Sequence, residues 1–193
     1  MKTSLFTATA AGALLALAAC SPSGTGQETG ETAEAGESTE AAATDTTAAT
    51  AESAAATDPQ GFATQMAASD MFEIESGKLA QQNGKSQEVK DFGAMLVKDH
   101  TKSSADLKAA AGQSEGVTVA PKLTAKQQSD LDALKNAKDD FDATFKQQQV
   151  AAHTMALSLL QGQAKGGTGA LKEFAAKTAP VVEAHLAEAR ELP

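Results

Sequence analysis

Aromatic residues and cysteine are scarce in this sequence. It has no tryptophan, no tyrosine and a single cysteine, Cys20. Nucleic acid is not an expected partner, because the formal net charge is -9 and the chain has neither a basic stripe nor a tyrosine or tryptophan on which bases could stack. One cysteine cannot form an internal disulfide, and once it is modified no thiol remains for redox or nucleophilic chemistry.

The first twenty residues contain one basic side chain, Lys2, and an apolar run from Leu5 to Ala19. This run is too short to span a bilayer and is typical of a secretory signal. The tetrapeptide "LAAC" that ends at Cys20 resembles the bacterial lipobox, in which the signal is cut before a cysteine that carries a diacylglyceryl group. We therefore expect residues 1–19 to be a lipoprotein signal peptide and Cys20 to be the lipidation site. The alternative is an ordinary signal peptide with an incidental cysteine.

The residues after the cysteine bear on location. Ser21 stands where an aspartate would be the inner-membrane retention signal of Gram-negative bacteria. The resemblance to the lipobox therefore implies an outer-membrane lipoprotein that faces the periplasm and contacts the membrane through its lipid anchor.

Residues 21–57 have seven acidic side chains and no basic, aromatic or large aliphatic ones. Such a segment cannot bury enough apolar surface to offset the entropy of ordering. We expect residues 20–57 to form a lipidated, disordered, acidic tether that holds the following domain off the membrane.

Residues 58–193 have helical periodicity throughout, and the predicted fold is an all-α four-helix bundle. The first helix is predicted from Asp58 to a left-handed cap at Gly84, and the second from Ser86 to Gly112. The third is predicted to run unbroken over 124–161 after a capping box, and the fourth over 168–192. The link over 113–123 can either join neighbouring helix ends or cross the bundle, as in ferritin-like folds. Its length is compatible with both connections.

All three histidines of the chain fall on or beside an apolar helical face. On wheels of 100° per residue, His100 and His185 are central to such faces, His153 lies at the edge of one, and Glu73 faces inward from the first helix. Three imidazoles and one carboxylate suit a zinc, iron or copper ion, so these four residues are the candidate metal ligands. Alternatively, each histidine is a neutral core residue that the protein satisfies by hydrogen bonds.

Two further expectations concern this site. Counting from the helix ends spreads the four residues over roughly 12 Å along the bundle, so that a single site would need a bend, for which Pro180 is the candidate. Asp99 points about 100° away from His100 on the helical wheel and is expected to be a rim charge instead of that histidine's partner.

Three stretches of the sequence are similar to a known bacterial family. They are "SDMFEIESGKLAQQNGKSQEVKDFGAMLVKDHTKSSADL" from Ser69, "FDATFKQQQVAAH" from Phe141 and "PVVEAHL" from Pro180. They resemble domain of unknown function 4142, whose members are exported and ferritin-like. The family pattern includes the positions of Glu73, Asp99, His100, His153 and His185, and the resemblance implies no established activity. The chain lacks the two Glu-x-x-His pairs of di-iron ferritins, so ferroxidase chemistry is not expected.

Taken together, these features predict a cell-envelope lipoprotein with a helical domain that is not an enzyme and has a role such as metal buffering or stress protection. A structural or protein-binding module without a metal is the alternative. A metal-dependent oxidoreductase is a third hypothesis, which requires open coordination and a substrate cleft. The sequence leaves protein partners undefined.

The lipid anchor is directly testable through Cys20, the only acylation point of this kind. The substitution Cys20→Ser is expected to move the protein out of the membrane fraction or to leave an unprocessed precursor, measured by fractionation and intact mass. Unchanged processing together with unchanged membrane retention would contradict the lipoprotein interpretation.

Overall fold

Residues 58–193 are described by the structure, a computed structural model, and they form an all-α fold as predicted. The predicted signal peptide, Cys20 and the tether over 20–57 lie outside the described residues. Within the described range, five α-helices and one 3-10 helix follow one another: α1 Pro59–Asn83, α2 Gln87–Ala111, α3 Ala125–Asn136, the 3-10 helix Lys138–Asp140, α4 Phe141–Gly166 and α5 Gly169–Glu191. None of these helices is both long and apolar enough to cross a bilayer.

The four long helices α1, α2, α4 and α5 form a bundle in which α1 packs against α2 and α4, while α5 packs against α4 and α2. The first turn of α4 contacts the connection between α1 and α2. The Asp142 carboxylate accepts hydrogen bonds there from the Lys85 and Ser86 backbone N–H groups, both at 2.8 Å, so α4 begins at the same end of the bundle as α2. Helices α2 and α4 therefore run parallel. The link over 113–123 and α3 together cross the length of the bundle, which is the connection that ferritin-like folds use.

The prediction of an unbroken third helix over 124–161 is wrong. The capping box at Thr124 is present, but α3 ends at Asn136, and Lys138 has a φ of 49°, which no α-helix can contain. The break has no glycine or proline to mark it, and the buried stripe continues across it from Leu134 to Phe141. Hydrophobic periodicity therefore gave no sign that the chain changes direction here.

Side-chain caps define the ends of the first two helices. Asp58 accepts from the Gly61 N–H at 2.7 Å, and Ser86 accepts from the Val89 N–H at 3.2 Å. The predicted left-handed cap at Gly84 is wrong, because its φ is -54°. A glycine is needed there for another reason: a Cβ atom at Gly84 would lie 2.6 Å from the Ala80 carbonyl oxygen.

Helices α1 and α2 approach each other closely at two glycines. A Cβ atom on Gly77 would lie 2.6 Å from the Gly93 carbonyl oxygen, and one on Gly93 would lie 2.7 Å from both the Gly77 carbonyl oxygen and the Ala80 Cβ. Since the helices are antiparallel, moving seven residues back from Gly77 and seven forward from Gly93 leads to Asp70 and His100. The glycine contact therefore aligns those two side chains.

The core consists of two apolar clusters with a polar layer between them. The first cluster has Phe62, Met66, Leu107, Leu160, Leu171 and Phe174 among its buried members. The second has Val89, Phe92, Leu96, Phe141, Phe145 and Leu192 among its members. On every long helix the chain passes from one cluster to the other through buried polar residues, and these residues form the polar layer: Asp70, Glu73 and Ser76 on α1, His100 on α2, Gln149 and His153 on α4, and His185 on α5.

We expect Gly93→Ala to lower the free energy of unfolding by about 1–3 kcal/mol, measured by denaturant titration, because overpacking outweighs the better helix propensity of alanine. Gly112→Ala is the matched control, since a Cβ atom there meets nothing closer than 3.5 Å. Equal stability of the two variants would show that the glycine contact does not constrain the α1–α2 pair.

Candidate metal centre

Three histidines from three helices meet in the polar layer. His100 of α2, His153 of α4 and His185 of α5 are 3%, 1% and 4% exposed. Their ring centroids form a nearly equilateral triangle with separations of 5.7, 5.6 and 5.6 Å. The structure thus brings together the three histidines that the sequence singled out.

The expected axial spread of roughly 12 Å does not occur for the histidines, because the helix ends are not level. The Leu192 carbonyl at the end of α5 accepts a hydrogen bond from Lys146, which lies five residues inside α4. Helix α5 therefore stops short of the end of the bundle, and His185 lies level with His153 although it is close to the end of its own helix. No bend at Pro180 is needed to close a gap.

Each ring has one nitrogen bound to an acceptor of the protein. His100 Nδ1 lies 2.9 Å from Asp70 Oδ1, and His153 Nδ1 lies 2.9 Å from the Gln149 carbonyl oxygen. His185 Nε2 lies 3.3 Å from Asp99 Oδ2. A carbonyl and a carboxylate can only accept, so each of these three nitrogens carries the hydrogen.

The second nitrogen of each ring is consequently a lone-pair acceptor in the neutral tautomer. These atoms are Nε2 of His100, Nε2 of His153 and Nδ1 of His185, and all three are buried with no hydrogen-bond partner among residues 58–193. One nitrogen from each ring lies within 4.8 Å of the other two, and the ligands of one tetrahedral zinc ion are about 3.3 Å apart. Small ring movements therefore suffice for a shared ion.

Burial and mutual charge set the protonation of the rings. Burial, together with the charge on His100, lowers the pKa of His153 to about 3 and also lowers the pKa of His185. Burial alone would lower the pKa of His100 too, but the hydrogen bond to Asp70 and the negative charges of Glu73 and Asp70 raise it. Two of the rings are therefore neutral ligands at neutral pH, while a cation would have to displace a proton from His100.

Glu73 lies beside the triangle and not inside it. Its Oε1 is 3.7 Å from His153 Nδ1, the nitrogen that is already bound to Gln149, and the ligand atoms that lie within 4.8 Å of one another come from the histidines alone. Both carboxylate oxygens are buried without a partner in the described part of the chain. Burial raises the pKa of Glu73 to about 7, although the charge on His100 opposes the shift.

Sequence reasoning missed Asp70. This residue is fully buried, and besides His100 it accepts a hydrogen bond from Ser104 Oγ at 3.3 Å. Its neighbour Ser69 is only half-buried, so Asp70 and not Ser69 faces the core at this level of α1. The available signal was spacing, since Asp70 follows the inward Met66 by four residues and precedes Glu73 by three.

Asp99 is not the partner of His100, as expected from its direction on the helix. Its role was nevertheless missed: the Asp99 carboxylate on α2 is the hydrogen-bond partner of His185 on α5. The Asp99 side chain is 28% exposed, so it connects the buried layer to the surface. A wheel for one helix shows which way a side chain points but not which helix lies there.

The surroundings keep the histidines in place and away from solvent. Phe92 covers the triangle on one side, with ring centroids 6.2 Å from His153 and 6.5 Å from His185. Gln149 donates to Ser76 Oγ at 3.0 Å, which links α4 to α1 behind His153. Two cavities lie elsewhere, one between α1, α3 and α4 and one beneath the link over 113–123, and neither is lined by a histidine. Packed side chains thus shield the three histidines from solvent.

Comparison with known proteins gives one relationship. The model of a family described as domain of unknown function (DUF4142) matches residues 43–192. No curated protein and no solved structure matches the chain.

His153 is expected to take up a proton only at a pH far below the ordinary range for histidine. In the presence of a chelator, its ring resonances in an NMR titration should stay unchanged from pH 8 down to about 5, because its pKa is about 3. An unfolded chain takes up this proton near pH 6.5, so the contribution of His153 to stability is present above that pH and is lost as the pH falls toward 3. A His153 titration midpoint near 6.5 in the folded protein would contradict the burial that the structure shows.

Proposed function

We propose that this chain, which belongs to the DUF4142 family, is a cell-envelope lipoprotein whose helical domain binds one divalent transition-metal ion without catalysing a reaction. Zinc, iron and copper are the candidate ions. Metal buffering or protection against metal stress is the role that fits such binding.

The observation that carries the proposal is the convergence of three lone pairs in a buried space. One nitrogen of each ring is held by Asp70, Gln149 or Asp99. His153 and His185 each have an unpaired acceptor on the other nitrogen, and His100 has one once it gives up its proton. Acceptors left unpaired in an apolar interior are destabilising, so the arrangement requires an electrophile at its centre. A metal ion satisfies all three nitrogens at once, whereas a proton on His100 satisfies fewer.

Charge balance favours a divalent ion. Asp70 and Asp99 lie behind two of the three proposed ligands, and carboxylates in this position orient the imidazole and raise its basicity. Two carboxylates offset the two charges of such an ion in a medium where an unbalanced charge is costly. We propose Glu73 as a further group of the centre that either adds negative charge or becomes a fourth ligand after a side-chain rotation, since it is buried, unpaired in the described range and adjacent to His153.

The location is supported by sequence features alone. The lipobox-like "LAAC" ending at Cys20 and the serine after it favour an outer-membrane anchor, and the acidic segment over 21–57 favours a spacer between membrane and domain.

The alternative, a structural or protein-binding module, also has a supporting observation. Two of the histidines already join helices without any metal: His100 bonds Asp70 and connects α2 to α1, and His185 bonds Asp99 and connects α5 to α2. In that case the histidines only hold the helices of the core together, and a chelator leaves the melting temperature unchanged.

Metal binding is expected to raise the melting temperature of protein that has been purified without a His-tag and stripped with chelator. A ligand that binds only the native state stabilises it by mass action, with roughly 2.7 kcal/mol expected at a hundredfold excess over the dissociation constant. The response to zinc, copper or iron should vanish in His185→Ala. It should also weaken as the pH falls through the raised pKa of His100, because a proton on that ring competes with the metal.

Glu75→Ala is the matched control, since Glu75 is 44% exposed, pairs with Lys78 at 2.7 Å and lies apart from the centre. It should respond to metal like the wild type. Equal responses of wild type and His185→Ala, or the absence of both bound metal and stabilisation in the wild type, would favour the structural module.

A further inference from the structure

A groove runs between α1, α3 and α4, away from the histidines. It encloses a cavity of about 520 Å³, which lies within the range of about 300–1,000 Å³ that is usual for small-molecule sites. Its floor is formed by Phe72 and Ala68 of α1 and by Ala156 of α4, all buried. Met155, which is 64% exposed, stands at its edge.

Small side chains create this space. Helix α3 buries two residues, Leu131 and Leu134, and presents Ala133 to the groove, while α4 presents Ala152. Alanine is too short to fill the distance between a crossover helix and the bundle. Ala133 and Met155 are exposed, so the space is a groove that a molecule can enter from solvent and not a closed interior void.

The polar residues around the groove are electrically balanced. The two charged side chains, Lys126 and Asp130, pair with each other at 2.6 Å. Four of the remaining polar lining residues are uncharged glutamines: Gln65, Gln127, Gln147 and Gln148. Such a surface does not favour a cation or an anion over a neutral molecule, because no unpaired charge is available to replace the ligand's hydration.

One hydrogen-bonding atom of the groove is left without a partner. Gln148 donates from Nε2 to the Asp130 carbonyl oxygen at 3.0 Å, which holds its side chain between α4 and α3. Its Oε1 is buried and has no donor among residues 58–193. A buried amide oxygen normally accepts a hydrogen bond. Because this atom is closed to solvent, a bound molecule can supply the donor only after the Gln148 amide turns toward the groove.

We propose that the groove between α1, α3 and α4 binds a small, uncharged, mostly apolar molecule whose N–H or O–H group donates to Gln148 Oε1 after the amide turns toward the groove. The apolar floor supplies most of the affinity through burial, and the glutamine orients the ligand. This site is separate from the histidine centre, and the inference does not depend on the proposed metal.

The test uses N-phenyl-1-naphthylamine, a neutral apolar fluorophore with one N–H group. The purified protein is expected to enhance its fluorescence saturably with one site per chain. Ala152→Leu and Ala133→Leu, which fill the groove from two different helices, should each weaken binding at least tenfold. Ala109→Leu, at an exposed position of α2 that does not line the groove, should leave binding unchanged.

The role of Gln148 is isolated by a double comparison. Gln148→Leu should weaken binding of the probe about fivefold, as expected for one lost hydrogen bond. The N-methylated probe, which has no donor, should bind wild type and Gln148→Leu alike. Unchanged metal-dependent melting in all groove variants would separate this result from the fate of the metal centre.

Three outcomes would overturn the inference. The first is an absence of saturable binding, and the second is equal binding by wild type and both leucine variants. The third is occupation of the groove by protein, detected as a dimer in light scattering that Ala133→Leu dissociates, or as probe binding that begins only when residues 21–57 are deleted.

Discussion

The contact between Gly77 and Gly93 is the constraint on which the functional architecture depends. Two helices can approach until one backbone meets the other only where no Cβ atom intervenes, and both glycines lie where a Cβ would come within 2.7 Å of backbone oxygen. The contact fixes the longitudinal alignment of α1 against α2. Two turns away the same alignment places Asp70 at hydrogen-bond distance from His100, and a slip of one residue would rotate that pair out of register.

The polar layer that results is unfavourable unless its atoms are satisfied. Imidazole and carboxylate groups lie there between two apolar clusters, where unpaired polar atoms cost more than they do in water. Each of the three histidine rings has a protein acceptor for one nitrogen, while its other nitrogen is buried without a partner among residues 58–193. The unpaired nitrogens of this layer are the reason for proposing a bound ion there.

The crossover connection separates this domain into two chemical regions. Because α2 and α4 run parallel, the chain must return along the bundle, and α3 does so on the outside of α1 and α4. The bundle interior is thereby left to the histidines, one from each of three helices, without the paired Glu-x-x-His ligands of di-iron ferritins. The alanine-lined groove under α3 is a consequence of the return path and has a neutral, apolar character that the centre lacks.

Several features of the protein follow from local chemistry and were predictable from the sequence by itself. Helical periodicity determined the all-α fold and the inward direction of His100 and His185, and it placed His153 at the edge of an apolar face. Capping side chains determined where α1 and α2 begin. Family similarity was also readable, and it is confirmed by the match over residues 43–192.

Only the tertiary structure decided how these local elements combine. It placed His185 level with His153, assigned Asp70 to His100 and Asp99 to His185, set Glu73 beside the triangle, and broke the third helix at Lys138. The physical reason is that periodicity reports an angle around one helix axis. The level of a residue along the bundle, and the helix that it faces, depend instead on contacts between distant segments, such as Gly77 with Gly93 and Lys146 with Leu192.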